Sequence, residues 1–413
     1  MFVRRLSISA ACVAVVSTAV FISTAASGQP GASAEVASPG WAQSGGNSAH
    51  TASVANPGGL SPATVGSLRL TRSVALSDYP QTTPAVVNGT AYVATHSGLL
   101  IAVSTATGHQ IWQHSRCTTG EPAHNSSEET TPAVGDGNIF VTESAGRVMT
   151  MISVTAPHHL TCVPLEPAAQ PSMTPWSPTL SGRTVYEITP ARVVAIDAAT
   201  GHIRWSHPLA AGADSAADVT VWHGIVYAAF NTYTPTGDSG HVYALRPGDG
   251  HLLWQAVEPR YIATLAASGG RLVAGGGRTT AWDASTGRHL WTGRCAVTDA
   301  VTLVGQSVIV AGGEAGSCQG SVERLDAATG AVVWDTPVAS ELEDQASAGG
   351  GLVYLVNLDT DDVDILRLSD GTRLRSLHRS AVFYDGISTP VVLAGALWVI
   401  STSMRLDEWA LPR

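Results

Sequence analysis

Lysine is absent from this sequence, and all 22 basic residues are arginines. Without lysine, the chain has neither a Schiff-base nucleophile nor the lysine of a phosphate-binding P-loop. Charged residues make up only 13% of the chain, and the formal net charge is −10. Because an acidic protein repels phosphate backbones, we expect no nucleic-acid partner.

Aromatic residues are also few, at 6% of the sequence, whereas 42 glycines and 22 prolines supply abundant turn residues. This composition favours many short strands joined by tight turns over long surface helices. A disordered chain would carry more charge and fewer apolar residues than the 44% found here. We therefore expect an all-β fold.

The N-terminus resembles a secretory signal peptide. Arg4 and Arg5 form a short basic region, and the uncharged segment from Leu6 to Ala26 is apolar or small. Small residues at Ala26 and Ser27 suit cleavage, which predicts a signal peptide over residues 1–28 and an exported protein. An uncleaved membrane anchor is the competing interpretation, since the segment is long enough to span a bilayer. Cys12 gives only a faint lipoprotein signal, because Leu is missing three residues before it.

The segment that follows differs in composition from the rest of the chain. Residues 29–66 are rich in Gly, Ser, Ala and Pro, which predicts a linker and an irregular N-terminal arm. From residue 67 to residue 413 the sequence is repetitive, and we assign that whole range to one domain.

The strongest pattern is a turn in which Gly precedes Trp by four residues. In three copies it extends upstream to Asp-x-x-Thr-Gly-x-x-x-Trp, as from Asp197 to Trp205. Asp begins a hairpin turn because its carboxylate can accept backbone N–H bonds, and Gly adopts the positive φ that closes the turn. Five Trp at one repeat position indicate packing residues; a ligand-binding aromatic box is the alternative. The Gly and Trp pairs are Gly108 and Trp112, Gly201 and Trp205, Gly250 and Trp254, Gly287 and Trp291, and Gly330 and Trp334.

A second periodic mark sets the number of repeats. Each repeat opens with an apolar strand and a turn containing Gly, as at Gly89, and usually continues into a strand with an aromatic residue, as at Tyr92. The eight turn glycines are Gly89, Gly137, Gly182, Gly224, Gly270, Gly305, Gly351 and Gly395. A period of about 44 residues repeated eight times predicts an eight-bladed β-propeller of four-stranded antiparallel blades.

The last repeat has room for three strands only. We predict that Leu68–Val74, which precedes the first full repeat, supplies the missing fourth strand. An N-terminal strand paired into the last blade closes the ring and removes an exposed sheet edge.

The cysteines are few and their spacing excludes several sites. No Cys-x-x-Cys occurs, so neither a zinc ribbon nor a c-type haem attachment is indicated. Beyond Cys12, the repeat places Cys117 and Cys162 in the outer parts of blades one and two, and Cys295 and Cys318 likewise in blades five and six. Four cysteines in an exported protein allow three pairings, of which we favour the two between neighbouring blades.

One acidic run is a candidate metal site. Residues 359–364 include four aspartates, but Val363 and Asp364 occupy the fifth and sixth positions and Asp370 the twelfth, so the run fits a calcium loop poorly. We interpret it as a solvated loop between strands and predict no metal site.

The repeated turns resemble the tryptophan-docking repeats of PQQ-like, BamB-like quinoprotein propellers. Trp41-Ala42-Gln43-Ser44-Gly45-Gly46-Asn47-Ser48-Ala49-His50-Thr51 is similar to the arm before the first blade of many members, so the resemblance covers about residues 41–413. It implies an eight-bladed propeller and one of three roles: a dehydrogenase with pyrroloquinoline quinone and calcium in the channel, a BamB-type lipoprotein that assists barrel insertion, or an exported scaffold.

The blades are near minimal in length and the sequence presents no catalytic constellation. A function must be argued from a site rather than from a fold. We therefore expect a monomeric, exported, non-catalytic propeller, with neither cofactor nor catalytic residue, that binds a protein or cell-envelope component. Contact with a membrane is expected only through an uncleaved signal. The alternative is a pyrroloquinoline-quinone-dependent dehydrogenase.

Overall fold

Short β-strands make up nearly all of the ordered elements of the chain. The computed structural model describes residues 40–80, 83–117, 130–143, 147–157, 159–166, 177–235, 237–294, 301–311, 320–338, 345–357, 360, 362–378, 388–401 and 403–412. In these ranges the one helix is a 3₁₀ turn, Val65–Ser67. No helix within them is long and apolar enough to cross a bilayer.

Two strands of the N-terminal segment are β1 (Gly40–Trp41) and β2 (Ser53–Val54). They are followed by β3 (Arg69–Ala75). The strands of the first four blades, from the inner to the outer edge, are β4 (Ala85–Val87), β5 (Thr90–Ala94), β6 (Leu99–Ser104) and β7 (Gln110–Ser115); β8 (Ala133–Gly135), β9 (Asn138–Glu143), β10 (Val148–Ser153) and β11 (Leu160–Pro164); β12 (Thr179–Ser181), β13 (Thr184–Ile188), β14 (Arg192–Asp197) and β15 (Ile203–Pro208); and β16 (Ser215–Trp222), β17 (Ile225–Thr234), β18 (Gly237–Leu245) and β19 (Leu252–Glu258).

The other four blades repeat this order. Their strands are β20 (Ile262–Ser268), β21 (Arg271–Gly276), β22 (Thr280–Asp283) and β23 (His289–Thr292); β24 (Val301–Val304), β25 (Ser307–Ala311), β26 (Ser321–Asp326) and β27 (Val332–Pro337); β28 (Ser347–Gly349), β29 (Leu352–Asn357), β30 (Asp362–Arg367) and β31 (Arg373–His378); and β32 (Val391–Leu393), β33 (Ala396–Ser401) and β34 (Arg405–Ala410).

The first strand of each blade lies on the inside of the ring. From β4 to β32, each of these strands contacts the first strand of the next blade, and β1, which pairs with β4, also contacts β32 and completes the circle. Apolar clusters fill the spaces between blades, and one of them combines Val93 of blade one with Val391 of blade eight. The chain is an eight-bladed β-propeller, as the glycine period predicts.

The ring closes with an N-terminal strand in the last blade, which confirms the expected closure. Strand β3 pairs antiparallel with β34, from Arg69 opposite Ala410 to Ala75 opposite Arg405. The guanidinium of Arg72 lies 3.1 Å from the Glu408 carboxylate across this pairing. Strand β3 covers the edge of β34, and blade eight therefore has four strands, like its neighbours.

The outer turns have the geometry that their residues predict. The carboxylate of Asp326 accepts hydrogen bonds from the amides of Ala328 and Thr329, both at 3.0 Å, and Gly330 has a φ of +71°. The Thr329 hydroxyl and these amides hold the pKa of Asp326 below its ordinary value, because they stabilise the charged form. The turn therefore fixes where the outer strand begins and where its Trp points.

Candidate functional site

The N-terminal arm, defined here as residues 40–54, runs round the inside of the ring. Its strand β1 pairs with β4 of blade one, and β2 pairs in parallel with β28 of blade seven. Trp41 and Ala52 near its two ends are almost fully buried. The arm thus crosses the inner edge of the propeller, where a first strand would otherwise leave backbone groups unpaired.

Equivalent amides in successive blades donate hydrogen bonds to the arm. Each donor is the residue next to the last of an inner strand, so the arm lies at the end of the ring where first strands turn into second strands. Five bonds go to backbone carbonyls and one to the Gln43 side chain. They are Val134 to Ala42 (2.8 Å), Leu180 to Gln43 Oε1 (2.6 Å), Val221 to Ser48 (2.6 Å), Ala267 to Ala49 (2.9 Å), Leu303 to Thr51 (2.9 Å) and Ala348 to Ala52 (2.9 Å).

A buried polar cluster joins the arm to the middle blades. His50 Nδ1 lies 3.2 Å from Asp218 Oδ1, and both side chains are less than a tenth exposed. The other oxygen of Asp218 accepts a hydrogen bond from the amide of Leu265 at 2.8 Å and lies 3.3 Å from the hydroxyl of Thr264. His50 Nε2 lies 2.9 Å from Thr179 Oγ1. Arm, blade three, blade four and blade five therefore meet at one point.

Glu187 is a second buried carboxyl near this point. It lies on β13, 1% exposed, with hydrogen bonds from the Thr142 hydroxyl and from the amide of Ile188 at 3.2 Å. Burial raises the pKa of Glu187 to about 8 against these hydrogen bonds, and the negative charge of Asp218 adds to the rise. At neutral pH this side chain is therefore mostly uncharged.

The repeat alignment could have indicated Glu187, although our sequence analysis did not. Directly after the aromatic residue of the second strand, other blades have an apolar side chain, such as Val93, Val141 and Ala228. His50 and Asp218 gave no such signal, because they are 168 residues apart and only the ring brings them together.

The tryptophans of the repeat dock on the following blade. The Nε1–H of Trp291 donates a hydrogen bond to the carbonyl of Ala327 at 2.9 Å, and a Cβ on Gly330 would lie 2.6 Å from the indole ring. The same pair of contacts is made by Trp205 with Pro247 and Gly250, by Trp254 with Ala284 and Gly287, and by Trp334 with Leu368 and Gly371.

The two irregular turns have different neighbours. Blade two lacks the turn and its Trp, and Gly201 of blade three instead contacts Val163. Blade seven has Arg375 at the Trp position, and its guanidinium donates to the carbonyls of Val65 and Gly66 at 2.8 and 2.7 Å. Blade eight has no turn between its last two strands, because β3 comes from the N-terminus. The side chain of Arg375, which is longer than that of Trp, reaches the segment that precedes β3 instead.

A disulfide links the outer strands of blades one and two. Cys117 follows β7, Cys162 lies on β11, and their sulfurs are bonded with the Cα atoms 5.7 Å apart. This is the first of the two pairs favoured from the sequence. Cys295 and Cys318, the second pair, lie outside the described residues, as do the expected signal peptide and Cys12.

The acidic run is not a solvated loop where the structure describes it, so that expectation was wrong for Asp362 and Asp364. Both are buried in β30. Asp362 Oδ1 lies 2.7 Å from His378 Nδ1, and the Asp364 carboxylate accepts hydrogen bonds from the side chains of Ser376 and Asn357. The carboxylates are tolerated inside because side chains on neighbouring strands satisfy them.

The described part of the chain contains no group of three or more His, Cys, Asp or Glu side chains placed to hold a metal ion. Near the arm, the Asp218 carboxylate already interacts with His50, Thr264 and Leu265, and Glu187 is largely protonated. This donor set does not fit the carboxylate cage that Ca²⁺ prefers.

Comparison with solved structures supports the fold. BamB from Moraxella catarrhalis is 15% identical, with a TM-score of 0.60 over 83% of this chain and 99% of that one. Quinohemoprotein alcohol dehydrogenase from Comamonas testosteroni is 12% identical, with a TM-score of 0.72 over 91% and 81%. The computationally designed Ika8 protein is 15% identical, with a TM-score of 0.64 over 82% and 98%. At these identities the likeness concerns the fold alone.

No curated protein matches the sequence. A family model described as outer membrane protein assembly factor BamB matches residues 76–233 and 238–406, which together reach all eight blades. The docked tryptophans, the eight blades and this match agree, and the chain therefore belongs to the PQQ-like, BamB-like propeller family.

Proposed function

We propose that this protein is an exported, non-catalytic propeller that binds a protein or cell-envelope component through the face opposite the arm. The observation that carries the proposal is a hairpin of blade four that extends beyond its equivalents. Within the part of the chain that the structure describes, strands β17 and β18 have ten and nine residues, whereas the second strands of the other blades have five or six and the third strands four to six.

The direction of the hairpin follows from the strand order. The arm bonds to the ends of the inner strands, so β17 begins at the arm and runs away from it to Thr234. Tyr233 near the tip is half exposed, and Val257 on the adjoining β19 is 59% exposed. The hairpin therefore carries aromatic and apolar surface, of the kind enriched at protein interfaces, on the face opposite the arm.

The hairpin is ordered by its own contacts. The amide of Tyr233 donates to the Asp214 carboxylate at 2.7 Å, and its hydroxyl lies 3.0 Å from that of Ser215. Phe230 and His241 stack with ring centroids 4.8 Å apart. A rigid projection loses little conformational entropy on binding, which suits it to recognition.

Export and an envelope partner are supported by the N-terminal composition and by the family, whose model is named for outer membrane protein assembly. The competing function is that of a pyrroloquinoline-quinone-dependent dehydrogenase, since one similar structure is a quinohemoprotein alcohol dehydrogenase. At the inner ring, the Asp218 carboxylate is already paired with His50 and the Glu187 carboxyl is largely protonated, which favours the binding role.

A photo-crosslinking residue placed at Tyr233 in the native host tests the proposal. We expect a saturable adduct with one envelope component, and no such adduct from the same residue at His202, exposed on the outer turn of blade three. Equal labelling from both positions would count against the proposed face.

The purified protein should also be mixed with pyrroloquinoline quinone and calcium. We expect neither stoichiometric binding nor reduction of an electron-accepting dye. If both were observed, the dehydrogenase would replace the binding role.

A further inference from the structure

The hydrogen bonds around His50 determine its protonation. The hydroxyl of Thr179 lies 2.6 Å from the carbonyl oxygen of Val219, which can only accept, so Thr179 donates its one proton there. Towards His50 Nε2, the same hydroxyl oxygen must therefore accept. It follows that Nε2 carries a hydrogen.

The second ring nitrogen also donates. Nδ1 faces Asp218, whose Oδ2 also faces the Leu265 amide and the Thr264 hydroxyl, two donors that an ionised carboxylate accepts. The contacts therefore fit an imidazolium at His50 that pairs with a carboxylate at Asp218. Beside an ionised Asp218, a neutral ring would lose one of its two hydrogen bonds in a site where both side chains are buried.

The backbone at this point needs the side-chain contacts. His50 and Ala52 have φ values of +50° and +49°, a region that costs non-glycine residues free energy. These turns direct the carbonyls of Ala49 and Thr51 towards blades five and six. The contacts of His50 therefore offset part of the free energy that these two residues cost.

We propose that His50 and Asp218 form a proton-dependent clasp that holds the arm across the inner ring and releases it when the imidazolium is deprotonated. The ionisable groups known to meet there are His50 of the arm, Asp218 of β16 and Glu187 of β13, whereas β20 contributes Thr264 and the Leu265 amide. A rise in pH removes a positive charge from the arm and adds a negative charge beside Asp218. The loss of the positive charge weakens the clasp, because a neutral ring no longer pairs with the carboxylate of Asp218. The device rests on the fold and is independent of the partner proposed above.

Amide hydrogen exchange of the full chain tests the clasp, because the amides of Val221, Ala267, Leu303 and Ala348 donate to arm carbonyls. After correction for intrinsic exchange, we expect their protection to fall with rising pH between 6 and 9, by up to tenfold per unit for one released proton. Amides of β33, which pairs with β32 and β34 in blade eight, away from Glu187, serve as the internal control, and their protection should fall less than that of the arm-bound amides. Arm-bound amides whose protection does not change with pH would overturn the clasp.

Two variants identify the titrating group. In Asp218→Asn the amide can donate to Nδ1 of a neutral His50, so we expect the pH dependence to disappear while the arm stays bound. Glu187→Gln should retain most of the pH dependence. The reverse result would be a pH-independent amide protection in Glu187→Gln and an unchanged pH dependence in Asp218→Asn. It would identify Glu187 as the titrating group and overturn the proposal.

A measurement on the unsubstituted protein avoids any dependence on variant folding. The ¹⁵N resonances of His50 should show both ring nitrogens protonated at pH 6, and one of them should lose its proton over the range in which the arm amides lose protection. A ring that is already neutral at pH 6, while the arm amides are protected, would also overturn the clasp.

Discussion

At the scale of single residues, the docked tryptophan is the repeated link between blades. Its indole covers the glycine of the next outer turn and its Nε1–H satisfies a carbonyl there, as for Trp291 with Gly330 and Ala327. The ring is amphipathic, so one side chain supplies both apolar packing and a hydrogen bond. Arg375 makes only the hydrogen bonds, where the next blade has no such turn.

We therefore expect Trp291→Phe to lower the free energy of unfolding by about 1–3 kcal/mol, because the Ala327 carbonyl loses its donor and the smaller ring leaves space. Trp112→Phe is the matched control, since blade two offers no equivalent turn, and it should cost less. Urea denaturation followed by intrinsic fluorescence measures both. Equal losses would mean that the docking contact contributes little.

A second residue-scale prediction concerns Glu187, whose pKa is raised to about 8 from 4.5 by burial. The unfolded chain releases this proton first, so the stability from the protonated form is present at low pH and is lost as pH rises towards 8. The slope approaches about 1.4 kcal/mol per pH unit. Glu187→Gln should flatten the decline in urea midpoints between pH 5 and pH 8.

The control for Glu187 is Glu408→Gln, which removes a partly exposed carboxylate paired with Arg72. It should lower stability by a similar small amount at every pH in this range. A Glu187→Gln profile parallel to that of the unsubstituted protein would show that Glu187 is ionised in the folded state.

At the scale of elements, blade two departs most from the repeat. It has lost the turn that elsewhere carries Trp, and the disulfide between Cys117 and Cys162 joins it to blade one. The bond closes a loop with a sequence separation of 45, which restricts the unfolded chain. Blade two lacks the docked Trp that links other blades to their neighbours, and the disulfide links it covalently to blade one instead.

Replacing both cysteines by serine should lower the free energy of unfolding by about 2–4 kcal/mol. The unsubstituted protein should show the same loss under reducing conditions. Because the double variant has no bond to break between Cys117 and Cys162, reductant should affect it less. Thermal unfolding with and without reductant measures this, and an unchanged melting temperature for the double variant would contradict a stabilising role.

At the scale of the whole molecule, the N-terminal segment closes the propeller twice. Strand β3 completes blade eight at the outer edge, and the arm lies along the inner edge of the ring. Both closures cover strand edges that could otherwise pair with another chain. A segment with the composition of a linker thus holds the two ends of the ring together.

A truncated chain that begins at residue 76 should therefore expose β34 and the inner strands, whereas one that begins at residue 40 should keep both closures. We expect the shorter chain to oligomerise or aggregate and to unfold at lower temperature. Size-exclusion chromatography and thermal unfolding of the two chains measure this difference. A monomeric shorter chain of unchanged stability would show that the blades alone suffice.

Local patterns by themselves determined the number of blades, the outer turns and the closing strand. A Gly turn and a strand period depend on residues close in sequence, so Gly330 and Trp334 could be interpreted without knowing their neighbours. The local patterns did not show that Asp362 and Asp364 are buried, because the partners of these side chains lie on other strands.

Only the tertiary structure decided what the arm does. The arm is irregular, so no periodicity marks its contacts, and His50 meets Asp218 across 168 residues only because the ring brings blade four to the arm. Burial then sets the charge of Glu187, since the exclusion of water raises the pKa of this carboxyl. The repeat specifies the scaffold through local geometry, whereas the chemistry at its centre depends on long-range contacts.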